Sequence, residues 1–112
     1  MNTIEIGNAA KDTNDTRGWL IGSFIEEKAG MRHTDNFELK WGVHKAGEER
    51  AEWVTGETRT TLGILISGSF TMEFRDRTVT FDTPGDYVMW GPGVDHKWRA
   101  ASDAVWLTVR WQ

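Results

Sequence analysis

The chain has 112 residues, with 13 Lys and Arg against 17 Asp and Glu and a formal charge of −4. That is one domain's length, without the basic excess of a nucleic-acid binder. It contains no cysteine. Disulfide frameworks, thiolate metal sites, iron–sulfur clusters and cysteine nucleophiles are therefore excluded together, which suits a reducing compartment.

The first sixteen residues carry acidic groups and no apolar run, so no secretory signal is read there. Residues 1–18, rich in Asn, Asp and Thr, read as a flexible arm. Trp19 to Ile25 is the longest apolar stretch, far short of a membrane span, and it is expected to add a strand. Residues 26–36 are polar. From Phe37 to His44, Phe37, Leu39, Trp41 and Val43 alternate with Glu38, Lys40, Gly42 and His44, the period of a half-buried strand. Lys45 to Thr60 is a long polar connection broken at Gly47 and Gly56.

Leu62 to Ile66 is continuously apolar, as a strand buried on both faces would be. Short alternating runs follow at Phe70–Phe74, Val79–Phe81 and Tyr87–Trp90, separated by Ser67-Gly68, Asp76-Arg77 and Asp82 to Asp86. Gly91-Pro92-Gly93 closes the last of these, and a strand beginning at His96 is expected after it. Val105, Leu107, Val109 and Trp111 alternate with Trp106, Thr108 and Arg110 at the C-terminal end. No helical stripe of useful length occurs. Many short strands closed by turns predict an all-β fold, an antiparallel sandwich or barrel.

Two segments resemble the motifs of the cupin superfamily, over about two thirds of the chain. The second cupin motif has a glycine, five residues, Pro-x-Gly, two residues and a histidine. Gly85-Asp86-Tyr87-Val88-Met89-Trp90-Gly91-Pro92-Gly93-Val94-Asp95-His96 matches at Gly85, Gly93 and His96, with the proline displaced by one place. The first motif opens at Gly47, but Trp53 and Thr55 stand where its two histidines would be and Thr61 where its glutamate would be. The string Trp41 to Arg50 is similar to small bacterial single-domain cupins of unassigned role. The resemblance implies a small double-sheet jelly roll over residues 1–112, with the barrel in 37–111. It also implies a homodimer in which the N-terminal strand packs on or swaps with a second subunit. Without the usual ligands, no metal or other cofactor is expected.

His96 is the first site candidate, as a wall residue, a ligand or a general acid or base, because an imidazole titrates near the working pH. His44 shares a strand face with Glu38 and Lys40, whose simplest place is at the solvent; sheet twist or a dimer contact would instead make it a ligand-binding residue of the pocket. Glu57 is the carboxylate nearest the lost histidines and could partner His96. It could equally belong to a solvated acidic loop. Tyr87 is an alternative acid. Trp53, Trp90 and Trp98, with Thr55 and Thr61, would line an aromatic pocket if they point inward. Trp41 and Trp111 are expected in the packing.

Three functions follow. The chain is a metal-independent small-molecule binder, a sensor or carrier in the cytoplasm with neither nucleic acid nor membrane as partner. Alternatively it is a metal-independent isomerase, epimerase or lyase using His96 on a sugar-like or carbonyl substrate. The third is a metalloenzyme with an unusual set drawn from His96, His44 and Glu57.

Overall fold

The computed structural model describes residues 3–112. Its strands are β1 (Trp19–Ile21), β2 (Phe37–His44), β3 (Thr60–Ser67), β4 (Phe70–Phe74), β5 (Thr78–Phe81), β6 (Tyr87–Trp90), β7 (His96–Ala100) and β8 (Ala104–Trp111). Two layers result: a five-stranded sheet ordered β1-β2-β8-β3-β6 and a three-stranded sheet ordered β5-β4-β7. Every strand pair in both is antiparallel. No helix among the described residues is long and apolar enough to cross a membrane.

The segment read as an arm carries a single helical turn, α1 (Ala9–Asp12). Asn8 caps it, accepting from the Lys11 amide at 3.1 Å. A 3-10 segment at Glu27–Arg32 lies in the second polar stretch. The long connection after β2 is only partly a loop. Val54 and His96 exchange backbone hydrogen bonds at 2.8 and 3.2 Å, and the Arg50 amide donates to the Trp98 carbonyl at 2.9 Å. This stretch therefore covers the free edge of β7, which would otherwise present unpaired backbone groups.

Between the layers lies a core of Leu65, Phe70, Met72, Phe81, Trp90, Ala100, Ala104 and Trp106. Phe70 stacks on Trp106 at 4.6 Å and on Trp98 at 5.3 Å, and Phe81 meets Trp106 at 5.4 Å. Trp106 fits because β3 has no side chain beneath it. A Cβ at Gly63 would lie inside the indole's van der Waals surface.

The inward faces of β2 and β8 are the reverse of those expected. Glu38 and His44 are buried, while Phe37 is 37% and Val43 59% exposed. On β8, Ala104 and Trp106 face the core, so Val105, Leu107, Val109 and Trp111 face outward with Leu39 and Trp41, their partners across the ladder. Leu62 and Ile64 share this outer face and pair with Met89 and Tyr87; β3 is therefore buried on one face only. Alternation distinguishes the two faces of a strand without saying which meets the second layer. Here the apolar face is the outer one, because the inner face of the large sheet walls a polar cavity.

Candidate functional site

The cavity opens between the sheets, with a volume of about 340 Å³. The large sheet gives it Trp19 from β1, Lys40 and His44 from β2, Thr61 from β3, Trp90 from β6 and Trp106, Thr108 and Arg110 from β8. The small sheet gives Phe70 and Met72 from β4 and His96 and Trp98 from β7. Val54 and Arg50 enter from the strip along β7, and Arg17 from the turn before β1.

The two imidazoles stand in different aromatic settings. His44 lies 4.4 Å from Trp98 and 5.4 Å from Phe70, ring centre to ring centre, and His96 lies 4.7 Å from Trp90. The His44 Nδ1–H donates to the Glu48 carboxylate at 3.3 Å, and the His96 Nδ1–H donates to the Val94 carbonyl at 3.1 Å. Those acceptors place the hydrogen on Nδ1 and leave Nε2 as the basic nitrogen of each neutral ring. Burial holds both rings below the ordinary histidine range, outweighing the opposing hydrogen bonds. Both are thus neutral at pH 7. Gly42 makes room for His44, since a Cβ there would sit 2.7 Å from His44 Nε2.

The charged part of the wall is basic. Arg17, Lys40, Arg50 and Arg110 line the cavity and, among the described residues, no carboxylate does. Burial, reinforced by repulsion from Arg110, Arg17 and Arg50, lowers the Lys40 ammonium from its usual range.

Arg110 also enters a second, more open cavity of about 480 Å³, next to the 54–59 loop. There it meets Glu38 at 2.9 Å and Glu57 at 3.3 Å. Arg59 binds Glu57 at 2.9 Å and pairs with Glu38. Two carboxylates and two guanidiniums thus form a closed network that pins the loop to β2 and β8. The hydrogen bond from Arg59 holds the Glu57 carboxyl at about 2.

The candidate residues divide as follows. His44, His96, Thr61, Trp90 and Trp98 share the central cavity. Expected at the solvent, His44 is only 9% exposed. Thr55 and Glu57 stand in the second cavity. The carboxylate of Glu57 is held by arginines, so it is not a free acid or ligand beside His96. Tyr87 is 63% exposed on the outer sheet face and cannot serve as an acid in the cavity. Trp53 points away as well, held between Arg75 at 4.0 Å and Lys97 at 4.8 Å. Its neighbour Val54 takes the inward place, because the strip along β7 alternates like any strand. Asp95 turns to Arg75 at 3.1 Å.

Sequence reasoning missed Trp19, Lys40, Arg50, Trp106 and Thr108. The period-two partners of His44 and Trp106 pointed to most of them, once the polar face was taken as the inner one. Cupin metal centres need several converging nitrogen and oxygen donors. Among the described residues, no group of three or more His, Cys, Asp or Glu side chains could hold an ion. Two imidazoles beside an ammonium and guanidiniums do not fit a divalent cation.

The architecture is that of the cupins. Solved structures similar to this chain include a cupin superfamily protein from Desulfitobacterium hafniense, at 16% identity and TM-score 0.65 over 70% of each chain. KdgF from Halomonas sp. matches at 18% identity and TM-score 0.63, covering 70% of this chain and 72% of that one. A cupin 2 conserved barrel domain protein from Salinispora arenicola matches at 24% identity and TM-score 0.58, covering 69% and 64%. No family model matches the chain, and no curated protein matches it. The cupin fold is therefore what the chain shares with them. It carries no activity, since one scaffold serves many chemistries.

Proposed function

We propose that the chain is a small-molecule-binding cupin whose ligand lies in the central cavity, held by aromatic walls and not through a metal. The observation that carries this is the cavity itself. About 340 Å³ lies within the range of small-molecule sites, and Trp19, Phe70, Trp90, Trp98 and Trp106 supply flat walls. A ligand that binds there stabilises the fold by mass action. Melting temperature is therefore measured across a library of ring-bearing small molecules, for the wild type and for Trp98→Ala. The expected result is a set of hits that raise the wild-type melting temperature and fail to raise that of Trp98→Ala. Hits that shift both proteins equally would place binding elsewhere.

A second reading is supported by the two neutral imidazoles, each with an unprotonated Nε2. His96 would take a proton from a bound substrate in an isomerase, epimerase or lyase reaction. On a substrate the protein converts, His96→Ala should lower the rate by about 10²–10⁴. Full activity in that variant removes this reading.

The chain is proposed to work as a homodimer in the cytoplasm. The outer face of the large sheet supports pairing, because Leu39, Trp41, Leu62, Ile64, Leu107 and Val109 lie side by side there. A contiguous apolar sheet face of this kind marks an interaction surface, and a second copy would meet it with an identical face.

A further inference from the structure

We propose that the ligand of the central cavity is a small organic carboxylate, its oxygens received by a row of donors from Arg110, Thr61 and Trp90. The proposal rests on the small-molecule reading above and names the chemical class.

The row is set by strand register. Thr61 of β3 lies opposite Arg110 of β8 on one side and opposite Trp90 of β6 on the other. The three side chains thus stand on adjacent strands, ~4.8 Å apart from one to the next, and all three line the cavity. Each carries a buried polar atom with no partner among the described residues: Arg110 Nε, Thr61 Oγ1 and Trp90 Nε1. Thr61 is 2% and Trp90 7% exposed. Buried polar groups in folded proteins are nearly always paired. A fourth such atom, Glu38 Oε1, lies across the ladder from Arg110 and is ion-paired to Arg59 and Arg110. The three remaining groups, in one row on residues that line one cavity, mark a place where something else completes the bonds.

The chemistry of the orphans selects the class. Arg110 Nε–H and Trp90 Nε1–H can only donate, and a hydroxyl can donate as well. The missing partner is therefore an acceptor. Arg110 is restricted further, because its terminal nitrogens are already held by Glu57 and Glu38. Nε–H is its one nitrogen with no partner among the described residues.

Charge points the same way. Arg17, Lys40 and Arg50 line the cavity without a carboxylate within ion-pair distance among the described residues. On a chain of net charge −4, three unpaired cations around one cavity are a local reversal of sign. An anion relieves their mutual repulsion and attracts them through a low-dielectric wall. The aromatic walls require that the anion also carry a flat or apolar body, which excludes a bare inorganic ion as the best occupant.

The test uses pairs of matched shape in which the charge is lost and one acceptor oxygen becomes an NH2 donor: benzoate with benzamide, and phenylacetate with phenylacetamide. Binding to the intact chain is followed by tryptophan fluorescence and calorimetry, with Thr61→Val, Trp90→Phe and Lys40→Met as variants. The acids should bind at least tenfold more tightly than their amides. Each variant should weaken the acid about tenfold and leave the amide within about twofold. Trp90→Phe and Thr61→Val conserve shape, and a circular dichroism melt confirms that each variant folds. Amides binding as well as acids would overturn the carboxylate and leave the small-molecule site standing. Neither acids nor amides perturbing the cavity tryptophans would remove both.

Discussion

Glu57→Gln tests the charge network that fixes the wall of the cavity. In the folded chain the Glu57 carboxyl titrates at about 2, against an ordinary value of 4.5, chiefly because Arg59 donates to it. Its folded pKa is depressed. The stability it adds is therefore fully present above about pH 4.5 and is lost as pH falls toward 2. At about 1.4 kcal/mol per pKa unit, that difference is a ceiling of roughly 3 kcal/mol, and residual solvent screening brings it nearer ~2 kcal/mol. Domains of this size are stable by only about 5–15 kcal/mol, so the effect is readily measured. The variant keeps the shape and loses the charge, leaving Arg59 and Arg110 to share Glu38. Urea unfolding followed by tryptophan fluorescence, from pH 7 to pH 2.5, should show Glu57→Gln less stable by ~2 kcal/mol at neutral pH. The gap should shrink steadily below pH 4.5. A gap that stays constant to pH 2.5 would refute the ion-paired geometry.

Further outcomes are expected. Both His44 and His96 should titrate below 6.5 by NMR, because burial depresses them; the part of stability they control is present above pH 6.5 and lost as pH falls through their folded values. A ring titrating above 6.5 would contradict its place in the cavity wall. Gly63→Ala drives a methyl group into the Trp106 indole and should cost about 1–3 kcal/mol, a fall of several degrees in melting temperature by circular dichroism; an unchanged melt would mean that Trp106 does not sit on β3. Leu107→Lys, on the outer face, should leave the fold intact and sediment as a monomer in analytical ultracentrifugation, against the dimer proposed for the wild type; a wild type that sediments as a monomer at every concentration tested would contradict the pairing.

The strands and turns were legible because short alternating runs and glycine breaks have local causes. The cupin second motif placed Gly85 to His96 correctly in the turn, strand and turn that lead into β7. The orientation of β2 and β8 was not legible. Phe37, Leu39, Trp41 and Val43 are the apolar set, and hydrophobicity alone sends them inward. They lie outward because the opposite face must supply Lys40, His44 and, across the ladder, Thr108 and Arg110 to a cavity. A strand beside a polar cavity inverts the usual rule, and only the second sheet reveals the inversion.

The same limit governed the tryptophans. Trp98 could be placed with His96 because two residues along a strand share a face. Trp53 could not, since its stretch looked like a loop and its pairing with the edge of β7 depends on residues more than forty positions away. Glu57 and Tyr87 were candidates by proximity to the motif. One is held by arginines and the other stands on the far face of the sheet, relations set by register and not by sequence distance.

The seven tryptophans allow the most direct test of the central claim, that the ligand occupies the space between the sheets. The structure divides them into Trp19, Trp90, Trp98 and Trp106 on the cavity and Trp41, Trp53 and Trp111 away from it. With indole ¹⁵N–¹H signals assigned by single substitution, benzoate is titrated into the labelled protein. Movement of the cavity set, Trp90 foremost, with Trp41, Trp53 and Trp111 unmoved, is the predicted result. Movement confined to Trp41, Trp53 or Trp111 would contradict the account.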